Sequence, residues 1–197
     1  MRLTDENKKK ISDEIQRGAA QLFRENGYDA VNLDAIMAAA GLTRGAFYAH
    51  FRTKSDLFAQ VMRHEYPLLR LLRDRTGEDA ATLRSQMQAI FSGYLAPAHL
   101  SEVFTGCSLA ALTGDTTRAD DDVRAAYQAA WQDIVTEMGR GYPKADRAPL
   151  HAALLLATGA VRSATAMQAA DARSEVLNAA HATVLSLFDT AFGVSPD

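Results

Sequence analysis

Alanine occupies 37 of the 197 positions, whereas valine and isoleucine together occupy 14. Alanine is the strongest helix former and β-branched residues are the usual material of strands, so this imbalance directs the chain to an all-α fold. The length suits one domain, or a small domain joined to a medium one, with room for a sizeable core. Charged residues at 23% and hydrophobic residues at 48% describe a globular chain. Apolar runs such as Ala152–Ala157 are far short of the roughly 20 residues a membrane span needs. Met1-Arg2-Leu3-Thr4-Asp5-Glu6 turns polar at once and has no signal-peptide core, so a cytoplasmic protein without membrane contact is expected. The single cysteine, Cys107, rules out an internal disulfide, and no Cys/His spacing suits zinc; neither metal nor cofactor is expected.

Ile11, Ile15, Ala19, Leu22 and Phe23 recur at helical spacing and predict a first helix over about residues 7–26, stopped by Gly27. A second spans 33–40, with Asn32 as N-cap, Asp34 in the first turn and Gly41 at a left-handed C′ position. After Gly41-Leu42-Thr43 a third begins, capped by Thr43, and runs to about residue 50; this is a helix-turn-helix. Thr53-Lys54-Ser55-Asp56 reads as a capping-box-like start of a long fourth helix, reaching about residue 75 and kinked near 63–66 by Pro67. Further helices are predicted near 79–95, 104–112, 118–139, 147–168 and 174–192, with connectors around Pro97, 114–117, 141–146 and 170–173, about nine helices in all.

Apolar residues cover more than one face of each of the last two helices. Such helices need burial on most sides, and a second subunit is a natural source of cover. Leu154, Val161, Met167, Val184, Leu187 and Phe188 are therefore candidate dimer-interface residues, the alternative being a wholly intramolecular core.

Residues 35–55 contain no acid, but they carry Arg44, Arg52, Lys54 and His50. The third helix is too short to stand alone, so Ile36, Leu42, Phe47 and Phe51 must hold it. Its other face is left with Arg44, Gly45, Tyr48 and His50. Small Gly45 and Ala46 permit close approach to base edges, and Thr43, Tyr48 and His50 can donate to phosphate. Lys54 opens the fourth helix, where a cation opposes the macrodipole; a phosphate partner would explain it. Lys8-Lys9-Lys10 fits the same reading or an ordinary solvated face.

The run from Gly27 to Met62 closely resembles the DNA-binding head of the TetR/AcrR family of transcriptional regulators. The resemblance is carried by Gly27-Tyr28, Ile36, Ala40-Gly41-Leu42-Thr43, Phe47-Tyr48-x-His50-Phe51, Lys54 and Leu57. With the first helix it covers roughly residues 7–62, and Gly106-Cys107-Ser108-Leu109 is similar to a segment of one branch. Val31 departs from the hydroxyl residue usual at its position; Asn32 is the substitute for a phosphate contact there. The resemblance implies a three-helix head over 1–52 and a helical effector-binding and dimerisation domain over 53–197. It implies a homodimeric repressor, released from a near-palindromic double-stranded operator by a small apolar or aromatic effector. An activator of the same fold is the alternative, as is an electrophile or redox sensor acting through Cys107. An effector pocket beside the fourth helix is implied too, with Met62, Tyr66, Phe91, Tyr94, Cys107, Tyr127, Trp131 and Met138 as candidate lining, or as plain core. Arg162 and His151 are further polar candidates for it.

Catalysis is not expected. Gly106-Cys107-Ser108 lacks the second glycine of a nucleophile elbow, and His64-Glu65 lacks the second histidine of a zinc-protease helix. Asp120-Asp121-Asp122 suits a helix first turn better than a calcium loop. The net charge of -3 is unevenly shared: residues 1–56 hold nine Lys and Arg against eight Asp and Glu, the rest twelve against sixteen. The acidity thus belongs to the later part, and the proposed DNA face is locally basic.

Overall fold

The computed structural model describes residues 5–64, 66–102 and 107–193, and every regular element among them is helical, as the alanine excess requires. In chain order the helices are α1 (Asp5–Asn26), α2 (Leu33–Ala39), α3 (Arg44–Phe47), α4 (Lys54–His64), α5 (Pro67–Arg73) and α6 (Ala80–Tyr94). A 3-10 helix follows at Pro97–Glu102, then α7 (Ser108–Ala111), α8 (Thr113–Arg118), α9 (Asp121–Met138), α10 (Arg147–Ala166) and α11 (Ala170–Phe192). They fall into two compact units: residues 1–66 with 111–130, and 67–110 with 131–197.

In the first unit, Ile15, Ala19 and Phe23 of α1 are buried with Ile36 and Met37 of α2, Phe47, and Leu57, Phe58, Val61 and Met62 of α4. Phe58 meets Phe23 edge-on at 5.2 Å and stacks on Tyr28 at 4.7 Å, so α4 belongs to the core of the head. The boundary expected at residue 52 falls just before that helix. Asn32 caps α2, its Oδ1 accepting from Ala35 N at 2.9 Å. Gly41, at φ +68°, ends it in a Schellman motif: Leu42 N donates to Met37 O and Gly41 N to Ala38 O. Thr53 Oγ1 accepts from Asp56 N, and Asp56 returns a carboxylate oxygen to Arg52 N. Two later acids tie the same unit together. Asp115 accepts from Tyr28 N at 3.3 Å, while Asp120 caps α9 at Val123 N and pairs with Ser55.

In the second unit, α10 and α11 form a closely packed helical hairpin, with Leu150, Leu154, Ala157 and Val161 buried against Leu177, Ala180, Val184 and Phe188. Phe91 of α6 meets Phe188 edge-on at 5.1 Å. Arg75 is buried and donates to the carbonyls of Leu72, Leu83 and Glu137; Arg140 donates to those of Leu72, Arg73 and Arg75. Desolvation, then Arg140, pushes the Arg75 guanidinium down to about 10, against the pull of Glu137; it is still charged at neutral pH.

Several boundaries differ from the sequence reading. The long fourth helix is two elements: Pro67 is the first residue of α5, where its missing N–H is harmless, rather than a kink inside one helix. Residues 114–117, expected as a connector, are helical within α8, because Thr116 is buried and its hydroxyl is satisfied by Leu112 O. Likewise 170–173 opens α11; the alanines there contain no breaker, and Asp171 suits the first turn. Of the helix expected over 104–112, residues 104–106 lie outside the described residues, and α7 covers Ser108–Ala111.

Candidate nucleic-acid interface and cavity

Four residues make α3, and only Phe47 among them is wholly buried. Phe47 packs on Phe51 at 5.6 Å and on the edge of Tyr48 at 5.3 Å. This anchors the helix on one side and leaves Thr43, Arg44, Gly45 and Tyr48 in solvent, with Tyr48 62% exposed; Ala46 and His50 are half-buried. Thr43 stands at the N-cap position without a side-chain cap bond, so its hydroxyl is not consumed by the helix. Burial, and secondarily Lys8, holds the His50 imidazole below its ordinary pKa of 6.5. That influence places the exposed Lys8 of α1 within electrostatic reach of the end of α3. Arg44 Nη1 lies 2.8 Å from Asp34 Oδ2.

Two residues expected to meet phosphate also have partners within the head. Lys54 Nζ donates to Val31 O at 2.6 Å and lies 4.1 Å from the centre of the Tyr28 ring. Burial lowers its pKa, with Asp29 opposing. A backbone carbonyl and an aromatic face thus partner this cation at a helix N-terminus, the carbonyl taking one of the three ammonium donors. Asn32 is exposed; its Oδ1 accepts as the cap of α2, which leaves the Nδ2 amide, the group that would donate to a phosphate, outside the cap.

The expected pocket residues are divided between the two units. Met62, Tyr66 and Tyr127 belong to the first unit, where Tyr66 Oη donates to Met62 Sδ at 3.9 Å and Tyr127 Oη lies 3.5 Å from Thr113 Oγ1. Phe91 and Met138 are buried in the second unit. Trp131 donates from Nε1 to His151 Nδ1 at 2.9 Å, and Arg162 donates to Ala110 O. Tyr94 and Cys107 do share a cavity of about 470 Å³, within the second unit. Pro67, Leu68 and Leu71 of α5 and Ala89, Ile90 and Gly93 of α6 complete its largely apolar wall, with His99 beside the Tyr94 ring at 4.9 Å. The aliphatic contributors escape a sequence reading because alanine, glycine and leucine at these positions look like ordinary helix material.

The dimer candidates need correction. Leu154, Val161, Val184 and Phe188 are wholly buried within a single copy of the chain, because α10 and α11 cover each other, so they offer a partner no surface. Met167 and Leu187 are half-buried. The apolar surface left open on this pair is a different stripe: Ala152, Leu155, Leu156 and Gly159 of α10, with Val176 and Ala179 of α11. Leu155 alone is 65% exposed.

The model of the tetR family of bacterial regulatory proteins matches residues 15–61. The transcriptional regulator AcrR of Shigella flexneri is 40% identical over 60 residues, 30% of this chain and 28% of that protein. The TetC protein of transposon Tn10 from Escherichia coli is 33% identical over 90 residues, 46% of this chain and 45% of that protein. The matches thus span less than half the length of these curated relatives. The crystal structure of E. coli NemR in its reduced form is similar with a TM-score of 0.71 at 19% identity, over 90% of this chain and 96% of that one. This is a likeness of fold.

Proposed function

We propose that the chain, whose N-terminal head matches the model of the tetR family of bacterial regulatory proteins, is a ligand-responsive, homodimeric transcriptional repressor of that family. The observation that carries DNA binding is the solvent-facing side of α3, where an arginine, a glycine and a largely exposed tyrosine stand over a buried phenylalanine. Arg44 reads base edges, Gly45 and Ala46 admit them closely, and Thr43, Tyr48 and His50 donate to phosphate. His50 does so as a neutral N–H donor, in keeping with its lowered pKa. Two heads of a dimer engage half-sites about 34–36 Å apart, or at a related spacing, on a near-palindromic operator.

The cavity supports the effector reading. Its volume and apolar wall fit a small apolar or aromatic molecule, with Tyr94 and His99 as the polar groups nearest to it. Such a ligand acts by favouring a conformation that binds the operator less well, and a coupling of about 1–3 kcal/mol changes affinity about 5–150-fold. Dimerisation is assigned to the Leu155 stripe rather than to the buried residues of α10 and α11. One observation favours a second reading of the trigger: Cys107 is in the cavity wall at 3% exposure, where an entering electrophile would meet its thiol.

The test is a gel shift of the full chain with the duplex upstream of its own coding region, in competition with unrelated duplex. A sequence-selective complex is expected, and Arg44→Ala should weaken it and reduce, without abolishing, its preference. Binding that unrelated duplex competes away equally well would overturn the reading. Release of the complex by electrophiles that is undiminished in Cys107→Ser would remove the thiol as trigger. A reporter that falls silent on deletion of the gene would make the protein an activator.

A further inference from the structure

Asp34 is the last acid before a run of twenty-one residues without one, and its carboxylate meets the guanidinium of Arg44 at 2.8 Å. The two come from different elements: Asp34 from the first turn of α2, Arg44 from the first residue of α3. Both side chains are largely exposed, at 62% and 59%, so the pair does nothing for the core. Nor does α2 depend on it for its start, because Asn32 already caps that helix. The next acid along the chain, Asp56, is turned to Arg52.

An exposed arginine is an indiscriminate cation. Left alone beside a duplex it satisfies itself on the nearest phosphate, and that contact carries no sequence information. Reading a guanine edge requires two of its five N–H donors to arrive as an oriented fork. A carboxylate bound to Nη1 does two things to this choice. It holds the guanidinium plane in one orientation while leaving Nε and Nη2 to point elsewhere. It also places a negative charge where a phosphate would have to come for the collapsed contact.

We propose that Asp34 is a positioning residue that sets the sequence selectivity of DNA binding, by holding Arg44 for base-edge reading and away from phosphate. The inference rests on the reading of the head as an operator-binding domain. It predicts that the acid, which a simple charge argument would count against DNA binding, weakens binding to wrong sequences more than to the right one.

The experiment uses the full-length protein and two duplexes: one enriched from a random-sequence pool by the wild-type chain, and a scrambled duplex of the same composition. Affinities are measured by fluorescence anisotropy across a salt series for wild type, Asp34→Asn, Arg44→Ala and the double variant, with thermal melts to verify folding. An exposed ion pair of this kind corresponds to about a twofold to fivefold change in affinity. Asp34→Asn should therefore tighten binding to the scrambled duplex by about that factor, and steepen its salt dependence by close to one released counterion. Binding to the enriched duplex should gain less, so selectivity falls. In the Arg44→Ala background the same substitution should leave selectivity unchanged. Equal tightening on both duplexes, or an equal fall in selectivity without Arg44, would mean that Asp34 acts only as a general charge and would overturn the proposal. Failure of the wild-type chain to enrich any sequence would instead bring down the operator-binding reading, and this inference with it.

Discussion

Gly45 is a glycine that the fold does not ask for. Its φ is not among the positive ones, and a Cβ built on it would meet nothing within 4 Å. Gly41 is the contrast: at φ +68° in the turn, an L side chain there costs about 1–2 kcal/mol. A glycine inside a helix is about 0.5–1 kcal/mol worse than alanine, so its presence on the open side of α3 calls for a reason outside the chain. On the proposed function, that reason is a base edge or sugar approaching the backbone. Gly45→Ala should accordingly raise the stability of the head by about 0.5–1 kcal/mol while weakening duplex binding. A thermal melt and an anisotropy titration on the same preparation check both halves. Wild-type affinity in the stabilised variant would show that the glycine makes no room for DNA.

Among the elements, the first unit is held by caps as well as by aromatic packing. Asp120 is the clearest case, since one carboxylate caps α9 at Val123 N and accepts from Ser55 in the first turn of α4. The Ser55 hydroxyl, then the Val123 N–H, hold its pKa below the ordinary 3.8. The folded carboxyl is the stronger acid, so its contribution is fully present above 3.8 and is lost as the pH falls through the lowered value. Asp120→Ala should cost about 1 kcal/mol near neutrality, and the gap from wild type should close in acid. Denaturant melts at several pH values measure this, and a gap that persists in acid would refute it. The first turn of α9 is legible in the sequence because consecutive acids at a helix start suit the macrodipole. The caps of α2, Asn32 and Gly41, are legible for similar local reasons. The starts of α8 and α11 are not: Gly114 and the threonines of α8 are poor helix formers made helical by the burial of Thr116, a tertiary fact. Pro67 shows the same limit. Its chemistry predicts a disruption, but not whether that is a bend or the start of a new helix. The roles of Asp34 and Lys54 are hidden for a related reason, since their partners, Arg44 and Val31 O, are ten and twenty-three residues away.

For the whole molecule, what decides the proposed function is whether two heads act together. The head carries only one more cation than anions over residues 1–56, so a single head gains little from counterion release. Joining two heads makes the second contact intramolecular, and such linkage raises affinity by about 10²–10⁴ with no new contact. The stripe of Ala152, Leu155, Leu156 and Gly159 with Val176 and Ala179 is suited to bring them together. Its small residues let two helix pairs approach closely, and Leu155 is the large apolar side chain that gains most from cover. A Cβ placed on Gly159, as on Gly45, would meet nothing within 4 Å, so nothing inside the fold accounts for the missing side chain. Leu155→Arg would bury a charge in that contact, and it should leave the 21.4 kDa chain folded but monomeric. Sedimentation should then fall from twice that mass to once, with unchanged helicity. Operator affinity should drop by about 100-fold or more, while affinity for unrelated duplex changes far less. A variant that stays dimeric would take the interface away from this stripe. A monomer that still bound the operator as tightly as wild type would mean that one head suffices, and the weak net charge of the head would then have to be offset by base contacts alone.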